Sequence, residues 1–396
     1  MVQIIHTADF HLDPPMRQFL NKDRERRKDF LDKFDDIIEF ALTERPDIIL
    51  ISGDLFDNIN PRNPVRKHVI QQFKLLYNRK IKIFAIGGNH DIPKSIENAL
   101  SPISILNTIE YLDFIQPEGN FITKRQVDID NIKINVFGES YDVLNSGNRD
   151  PLDDLKFPDI DGDVNIFMVH GSIGLFNYRS PGDYIIKEIN IPEEINYVAA
   201  GHLHDHLEKT RYNPNLGTTT ELIYPGSIEF LSFNENLEKS KGFMFLEYEK
   251  EGLINKEFIK LETRPIKIKK IPININVQNI YSKIVSEINP LRNPDLILKV
   301  ILDGKIKTDQ IPSMRTAKVI DFGDDNFFKL LLDNYNHLTF ETSELTLPDR
   351  EDITPKEVFI RYTNQLLEKE ENEVFKKRLE KAKKLGLKKL RKFGVG

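Results

Sequence analysis

The amino-acid sequence predicts an α/β protein in which parallel strands are joined by crossover helices. Short apolar runs of strand length alternate with amphipathic stretches through the first two thirds of the chain. This alternation is typical of parallel sheets, because two parallel strands need a long crossover connection between them. Clusters of histidine, aspartate and asparagine follow several of the apolar runs, and near residue 264 the pattern changes. At 396 residues the chain is also long enough for more than one domain.

Six apolar runs are predicted as buried strands, since each is continuous and of strand length. They are residues 2–6, 47–51, 81–86, 132–138, 164–170 and 196–200. Helices are predicted over residues 24–43 and 64–78, where apolar residues recur on one helical face. Two closing strands, joined by a turn and loop, are predicted at 221–230 and 242–250. Together these elements make a main domain over residues 1–263.

The remainder of the chain is predicted to form two further parts. Residues 264–346 indicate a small α+β domain, with strands at 266–273 and 295–302 and helices at 277–288 and 326–335. Residues 347–396 indicate a polar linker followed by two short amphipathic helices. These helices have no core of their own, which favours docking onto a partner. Ten Lys or Arg against one Glu in residues 376–392 make the end of the chain basic.

Composition excludes several classes of protein. The chain has no cysteine, so disulfides and zinc–thiolate sites are impossible. Its apolar runs are too short for a transmembrane helix, and its N-terminus lacks the pattern of a secretory signal. We therefore expect a cytoplasmic protein. The net charge of −6 does not by itself indicate nucleic-acid binding.

Five polar clusters follow predicted strands and form the candidate site. They are Asp9 with His11, Asp54 with Asp57, Asn89 with His90 and Asp91, the single His170, and His202 with His204 and His206. Ligands of parallel α/β sheets bind outside the carboxyl ends of the strands. The five clusters are therefore expected to converge on one site.

The residue types in these clusters suit metal ions. In an extended segment, residues i and i+2 point to the same side, so Asp9 and His11 can bind one ion together. Carboxylate, amide and imidazole donors without sulfur favour Mn²⁺, Fe²⁺ or Zn²⁺ over Ca²⁺. The candidate ligands are Asp9, His11, Asp54, Asn89, His170, His202 and His204. This set is too large for one ion and suits two, with Asp54 as the bridging ligand.

Each motif has a structural alternative when it is taken alone. A single Asp-x-His is more often not a metal site, and Gly-Asp-x-x-Asp is often a turn and helix cap. His6 lies inside a strand and is predicted as a hydrogen-bonded core residue. His206 is predicted to support the ligands or the fold. The ordered combination, each part after an apolar strand, favours the metal site.

The motifs "HTADFHLD", "SGDLFDNINP", "GGNHDIP", the single His170 and "GHLH" resemble those of calcineurin-like metallophosphoesterases. With "YPGSIEF" they are similar, more narrowly, to the double-strand-break repair nucleases of the SbcD-like archaeal and bacterial type. The motif resemblance covers about residues 1–250. It implies a four-layer α/β/β/α sandwich, a small α+β cap domain that binds DNA, and a helical tail.

The resemblance also implies residue roles. Asp9, His11, Asp54 and His204 would hold a first ion, and Asp54, Asn89, His170 and His202 a second. His90 would be the catalytic residue over the scissile phosphate, and Asp91 would orient it or its loop. Asp57 would support the metal ligands. It departs from relatives that have histidine there, which leaves any extra phosphate contact at this position open.

The activity implied is that of a Mn²⁺-dependent 3′-to-5′ exonuclease on double-stranded DNA and a single-strand endonuclease. The implied partners are a second copy of the chain and a coiled-coil ABC-type ATPase bound by the C-terminal helices. Arg17, Arg24, Arg26 and Arg27 are candidate DNA-binding residues, although a solvated helix face explains them equally well. Two apolar stretches, Ser101 to Ile109 and the stripe from Val65 to Leu76, could pair two copies of the chain, but core packing explains both equally well. A phosphatase or small-molecule phosphodiesterase, and a DNA-end-binding scaffold, remain the alternatives.

Overall fold

The computed structural model describes residues 1–93, 100–116, 119–141, 149–177, 185–333, 336–341, 355–369 and 373–392. Most of the predicted linker before residue 355 lies outside the described residues. The chain divides into two compact units, Met1–Thr339 and Phe340–Gly396. The three-domain division with boundaries at 263 and 346 stays a prediction.

The strands of the described residues are numbered in chain order. They are β1 Val2–Thr7, β2 Ile48–Ser52, β3 Lys82–Ile86, β4 Asp113–Phe114, β5 Thr123–Ile129, β6 Ile132–Glu139, β7 Val164–His170, β8 Ser172–Ile173, β9 Ile185–Ile186, β10 Tyr197–Gly201, β11 Leu207–Asn213, β12 Thr218–Tyr224, β13 Lys241–Glu249, β14 Gly252–Leu261, β15 Ile266–Ile273, β16 Asn293–Lys307, β17 Phe327–Asp333 and β18 Leu338–Glu341.

The helices are numbered in the same way. They are α1 Asp23–Glu44, α2 Asn63–Asn78, α3 Ile103–Thr108, α4 Ile280–Ile288, α5 Thr316–Asn326, α6 Pro355–Lys369 and α7 Glu373–Lys392. Short 3₁₀ segments lie at Arg17–Lys22, Pro151–Asp153, Gly174–Phe176, Glu188–Asn190, Asn289–Leu291 and Thr308–Met314.

Two six-stranded sheets build the larger part of the first unit. The first has the order β14-β13-β1-β2-β3-β4, in which β1 to β4 are parallel and β13 runs antiparallel to β1. The second has the order β11-β12-β10-β7-β6-β5, with a parallel centre from β12 to β6. The predicted α/β class is confirmed, since parallel strands form the centre of both sheets.

The two sheets pack face to face. Alternate residues of β1, such as Val2 and Ile4, are fully buried against residues of the second sheet such as Ile134 and Ile166. The strand period of two sends the intervening Ile5 to the opposite face, where α1 and α2 cover the sheet. Each such buried side chain contributes about 1.5–3 kcal/mol to folding.

Helix α1 shows how the sequence builds the outer layer of the first sheet. Asp23 and Glu25 lie in its first turn, where negative charge favours the helix N-terminus, and Arg45 ends it in a left-handed conformation. Its buried face consists of Arg26, Phe30, Phe34, Ile37, Ile38 and Ala41. The outer face of the second sheet is covered, among the described residues, by short segments that carry Leu152, Ile173 and Ile191.

A third sheet follows β14 and includes one correction. Strands β15, β16 and β17 are parallel and alternate with α4 and α5, and Thr339 at the start of β18 donates a hydrogen bond to Gly304 of β16. The predicted helix over 326–335 is wrong, because residues 327–333 form β17. Phe327, Phe328 and Leu330 are all buried, as in a strand covered on both faces. A continuous apolar run shows neither the helical nor the strand periodicity, so the sequence pattern could not distinguish the two.

The predicted strand over 221–230 is also shorter than expected. It ends at Tyr224, and β12 and β13 then lie in different sheets. Residues 225–240 form the connection between the two sheets, and it passes beside the candidate site.

The second unit contains α6 and α7, which pack on each other. Helix α7 continues beyond Gly386 to Lys392, so it is longer than the sequence pattern indicated. Tyr362, Phe375 and Leu385 are exposed on these helices, and the side chain of Val358 lies outside the described residues. In the part of the chain that the structure describes, no helix is both long and apolar enough to cross a membrane.

Candidate metal centre

The five polar clusters meet at one edge of the two sheets. The loops after β1, β2 and β3 bring residues from the first sheet, and the ends of β7 and β10 bring residues from the second. Backbone hydrogen bonds join neighbouring loops, with Asp9 N donating to the Gly53 carbonyl at 3.1 Å and His11 N to the Asp54 carbonyl at 2.9 Å. The parallel register of β1 and β2 therefore holds the first two clusters side by side.

Asp9, His11 and His204 form a first group of donors. Their ligand atoms all lie within 4.8 Å of one another. The Nε2 atoms of His11 and His204 are 3.1 Å apart, although they come from different sheets. Asp54 Oδ2 is 3.7 Å from Nε2 of His11, so this carboxylate borders the first group.

Asp54, Asn89, His170 and His202 form a second group beside the first. The same Asp54 oxygen, Oδ2, lies 3.3 Å from Nε2 of His170. Asn89 Oδ1 is 3.1 Å from Nε2 of His170 and 3.1 Å from Nδ1 of His202. Asp54 thus stands between the two groups and faces an imidazole in each.

Four of the candidate ligands have left-handed backbone conformations. The φ angles are 51° at Asp9, 45° at His11, 52° at Asp54 and 99° at His202. Such conformations cost about 1–3 kcal/mol each in residues other than glycine and persist only where the surroundings enforce them. Their concentration at one point is typical of a functional site.

Gly88 explains how Asp54 fits beside the loop after β3. A Cβ atom at Gly88 would lie only 2.2 Å from Oδ1 of Asp54. The same oxygen accepts a hydrogen bond from His90 N at 2.8 Å. Glycine at this position lets the backbone approach the carboxylate closely.

Buried charges shift the pKa values at the site. Burial alone would lower the pKa of His170, but the neighbouring Asp54 carboxylate raises it to about 9. Burial opposes ionisation of Asp54, yet His170 and His11 hold the pKa of this carboxyl well below its usual range. Burial lowers the pKa of His11. Asp54 is therefore an anion at neutral pH, as a bridging ligand must be.

Three of the imidazoles have an acceptor behind the ring. The Nδ1 atom of His11 is 3.1 Å from Asp57 Oδ1, and that of His170 is 2.8 Å from the Ser52 carbonyl. The Nδ1 atom of His204 lies 3.6 Å from Glu235 Oε1. In each ring, Nδ1 faces this acceptor while Nε2 faces the other donors, which is the usual arrangement of histidine ligands.

His90 lies at the open side of the site. Its side chain is 40% exposed, and its Nδ1 donates to the Asp57 carbonyl at 2.9 Å. The Asp57 carbonyl thus occupies Nδ1, and Nε2 makes no hydrogen bond to any of the described residues. A cleft of about 470 Å³ borders His90 and is lined in part by Asn89, His202 and Phe176.

The residues present fit a divalent metal. Two imidazole nitrogens approach each other, and buried carboxylates surround them, so the donors share one small volume that a cation would stabilise. The donor set contains nitrogen and oxygen only, which suits Mn²⁺, Fe²⁺ or Zn²⁺.

Comparison with known proteins agrees with this geometry. The family described as calcineurin-like phosphoesterase matches residues 2–206, which is just over half of the chain and includes every candidate ligand. The chain belongs to the calcineurin-like phosphoesterase family. It is thus a phosphoesterase, and the site is the place where divalent ions can be held.

Several relatives cover most of the chain. The DNA double-strand break repair protein Mre11 of Methanocaldococcus jannaschii is 28% identical over 375 residues, or 92% of this chain and 90% of that protein. Proteins of the same description are 27% identical in Methanococcus maripaludis, over 84% of this chain and 87% of the relative, and 27% identical in Sulfolobus acidocaldarius, over 77% and 76%. A dimetal phosphatase structure from Danio rerio has 13% identity and a TM-score of 0.34, and the match covers 65% of this chain and 98% of that one.

The supporting residues predicted from the sequence take different positions. Asp91 is fully buried and accepts hydrogen bonds from Leu55 N and Gly88 N, both at 2.7 Å, so it joins the loops after β2 and β3. His206 stacks on Phe258 and pairs with Glu208 at 2.8 Å, away from the donor groups.

The predicted DNA-binding arginines separate into two kinds. Arg17 and Arg24 are exposed, and Arg27 lines a cleft of about 400 Å³ beside Asp57. Arg26 is instead 1% exposed and its guanidinium contacts Asp29 at 2.9 Å, Glu229 at 3.3 Å and the Phe230 carbonyl. Arg26 therefore forms buried ion pairs that stabilise the fold, and it is not accessible to a phosphate.

Two residues near the site were missed by sequence reasoning. Arg62 lines the same cleft as Arg27 and pairs with Asp13. Glu235 faces His204 from the connection between β12 and β13. Neither belongs to a motif that follows a strand, and no spacing in the sequence relates Glu235 to the histidines.

Proposed function

We propose that the chain is a Mn²⁺-dependent DNA nuclease that processes double-strand-break ends as a 3′-to-5′ exonuclease and single-strand endonuclease. The observation that carries the proposal is the position of Asp54 Oδ2, which lies 3.7 Å from His11 Nε2 and 3.3 Å from His170 Nε2. One carboxylate between two groups of donors supports a pair of ions. The alignment with Mre11 proteins over most of the chain supports DNA as the substrate.

The proposed division of ligands between the two ions follows the family resemblance, and Asp9 also lies close to Asp54 and His170. Asp9, His11, Asp54 and His204 would hold one ion, and Asp54, Asn89, His170 and His202 the other. Divalent ions bound there would neutralise charge on a phosphate and lower the pKa of a bound water. Asp9 also accepts a hydrogen bond from His202 N at 3.0 Å, so the first group is tied to the backbone of the second.

His90 is proposed as the catalytic residue that contacts the scissile phosphate. Its Nδ1 is occupied by the Asp57 carbonyl, so Nε2 is the nitrogen that can meet a phosphate oxygen or the leaving sugar oxygen. In the imidazolium form, which carries a proton on both nitrogens, the N–H at Nε2 would stabilise charge that develops on the phosphate or pass its proton to the leaving sugar oxygen. The fixed Asp57 contact keeps the ring in one orientation.

Basic side chains in the cleft beside Asp57, together with exposed arginines on or before α1, support a polyanionic substrate. Arg17, Arg24 and Arg27 lie on or before α1, and Arg62 borders the cleft that Arg27 lines. Local basic groups can bind phosphates although the whole chain carries −6 charges. The α+β region from 264 is proposed to add to this DNA-binding surface.

Two partners are proposed. The exposed Tyr362, Phe375 and Leu385 of α6 and α7 support docking of a coiled-coil ABC-type ATPase. The stripe from Val65 to Leu76 is buried in the core, so it cannot pair two copies. The exposed Leu75 and Ile105 remain available for a homodimer, which light scattering of the purified chain would detect.

The nuclease proposal is tested with the purified full chain, stripped of metal and then supplied with Mn²⁺ or Mg²⁺. Duplex DNA labelled at either end and circular single-stranded DNA would be incubated beside p-nitrophenyl phosphate and bis-p-nitrophenyl phosphate. We expect Mn²⁺-dependent shortening of the duplex from its 3′ ends and opening of the circle. The His90→Asn variant serves as the matched control for a contaminating nuclease.

The other outcomes identify the alternatives. Hydrolysis of the nitrophenyl esters without cleavage of DNA would make the chain a phosphatase or small-molecule phosphodiesterase. Retention of DNA ends in a binding assay, without any hydrolysis, would make it a scaffold. Shortening from 5′ ends would contradict the proposed polarity.

A further inference from the structure

The connection between β12 and β13 folds behind His204. Ser227 N donates a hydrogen bond to the His204 carbonyl at 3.1 Å, and Lys241 Nζ donates to the same oxygen at 2.8 Å. A Cβ atom at Gly226 would lie 2.7 Å from this carbonyl, so the connection approaches as closely as a glycine allows. These contacts hold the backbone of His204 in place, and they come from residues outside the predicted ligand set.

Glu235 stands at the centre of this connection. Its side chain is 8% exposed, and Oε1 accepts hydrogen bonds from Leu231 N at 2.9 Å and Ser232 N at 2.7 Å. The same oxygen lies 3.6 Å from Nδ1 of His204. The backbone contacts hold Oε1 in place behind the imidazole.

Lys241 holds the second oxygen of Glu235. Its ammonium is 2.5 Å from Glu235 Oε2, 2.8 Å from the His204 carbonyl and 2.9 Å from Ser227 Oγ. These three acceptors match the three N–H groups of an ammonium. The side chain is 1% exposed, and a buried charge of this kind is stable only when its partners are complete.

We propose that Glu235, fixed by Lys241, is the positioning residue of His204. The Glu235 carboxylate lies 3.6 Å from Nδ1 of the ring, where its charge favours a proton on that nitrogen, and Nε2 is thereby directed to the metal group that it shares with His11. The inference rests on the proposed metal site and adds residues to it. Glu235 acts through His204 and touches neither ion nor substrate.

The other imidazoles support this assignment by analogy within the same site. His11 has the Asp57 carboxylate behind Nδ1, and His170 has the Ser52 carbonyl. Carboxylates and carbonyls behind metal-bound histidines fix the tautomer and orientation of the ring, and their loss typically lowers metal affinity about 10–100-fold. The Glu235 carboxylate takes the same place behind His204 that the Asp57 carboxylate takes behind His11, at 3.6 Å and 3.1 Å from the respective Nδ1 atoms.

The test uses the metal-stripped full chain and titrates it with Mn²⁺ by calorimetry. Glu235→Gln should bind one of the two ions about 10–100-fold more weakly than the unaltered protein and the other ion with unchanged affinity. Glu235→Asp, which keeps the charge, should recover part of the loss. Glu221→Gln is the matched control, because Glu221 also pairs with a lysine and accepts from a hydroxyl, but on β12 away from the site.

A second variant tests the proposal in case Glu235→Gln alone does not fold. In Glu235→Gln an amide faces the Lys241 ammonium, so the double variant Glu235→Gln with Lys241→Met removes both charges together. Circular dichroism of the metal-free proteins would verify the fold. The visible spectrum of the Co²⁺-saturated protein should differ from that of the unaltered chain in Glu235→Gln and in the double variant, because both alter the orientation of His204. The spectrum of Glu221→Gln should match that of the unaltered chain.

The outcomes separate this inference from the proposed function. If the unaltered chain takes up no divalent ion, the metal site itself fails. If the unaltered chain binds two ions and folded Glu235→Gln binds both with the same affinity and Co²⁺ spectrum, the positioning role is overturned. An equal loss of affinity in Glu221→Gln would likewise overturn it, since the effect would then be general.

Discussion

His6 offers a prediction of how stability depends on pH. The ring is fully buried, with Nδ1 2.8 Å from the Tyr197 hydroxyl and Nε2 3.2 Å from Ser52 Oγ. The Ser52 hydroxyl donates its hydrogen to the Ala199 carbonyl at 2.8 Å, so it accepts from Nε2 of His6. Tyr197 then donates to Nδ1, and both contacts are made by the neutral ring. Burial is the main cause that lowers the pKa of His6 from 6.5 to about 3, and His206 adds to it.

The size of the effect follows from this pKa difference. Because the folded pKa is the lower one, the unfolded chain binds a proton first as the pH falls below 6.5. The contribution of His6 is therefore fully present above pH 6.5 and is lost progressively as the pH falls towards 3. The loss is about 2 kcal/mol at pH 5 and about 5 kcal/mol in the acid limit, at about 1.4 kcal/mol for each unit of pKa.

Substitution of His6 by glutamine isolates this contribution. His6→Gln destabilises the protein at pH 7, but it also removes the titrating group. The difference in unfolding free energy between the unaltered chain and His6→Gln should therefore shrink by about 2 kcal/mol between pH 7 and pH 5. Urea unfolding of the metal-stripped chain, followed by circular dichroism at both pH values, measures this difference.

A control and a refuting result are both available. His337 is exposed, so His337→Gln should leave the pH dependence of the unaltered chain in place. If His6→Gln and the unaltered chain lose equal stability between pH 7 and pH 5, the buried neutral ring is not the source of the effect, and the reasoning fails.

Four further predictions concern the site and the C-terminal unit. Asp54→Ala should remove both metal ions, and elemental analysis that finds one full equivalent retained would contradict the bridging role. His90→Asn should keep both ions while the rate of DNA cleavage falls by about 10²-fold or more, the scale of a lost general acid or charge stabiliser. Equal loss of metal would make His90 a ligand. Gly88→Ala should weaken metal binding, because the added Cβ would lie 2.2 Å from Oδ1 of Asp54 and would push this carboxylate away. An unchanged affinity for Mn²⁺ would contradict this reasoning. Truncation after Pro348 should leave Mn²⁺-dependent cleavage intact and abolish co-purification with the ABC-type ATPase, and full ATPase binding by the truncated chain would place the docking surface elsewhere.

The strands and the position of the site are largely readable from the sequence. The strands β1, β2 and β3 are mostly buried because parallel strands are covered on both faces, so their sequences read as nearly continuous apolar runs. Polar residues such as Asp54 and His90 follow the ends of these strands. These are local features. A motif that directly follows a strand places its side chains at that end of the sheet, and this placement does not depend on which other segments pack nearby.

The contacts made between distant segments could not be read in this way. The strand Phe327–Asp333 was predicted as a helix, because an uninterrupted apolar run carries no period, and only its neighbour β16 makes it a strand. Arg26 belongs to a basic stretch, yet it is buried in an ion pair with Glu229, which lies in the connection between β12 and β13. Glu235 meets His204 because the two sheets pack face to face and their connection crosses the end of β10. Such partners depend on how the sheets are placed in three dimensions, and sequence spacing carries no record of that placement.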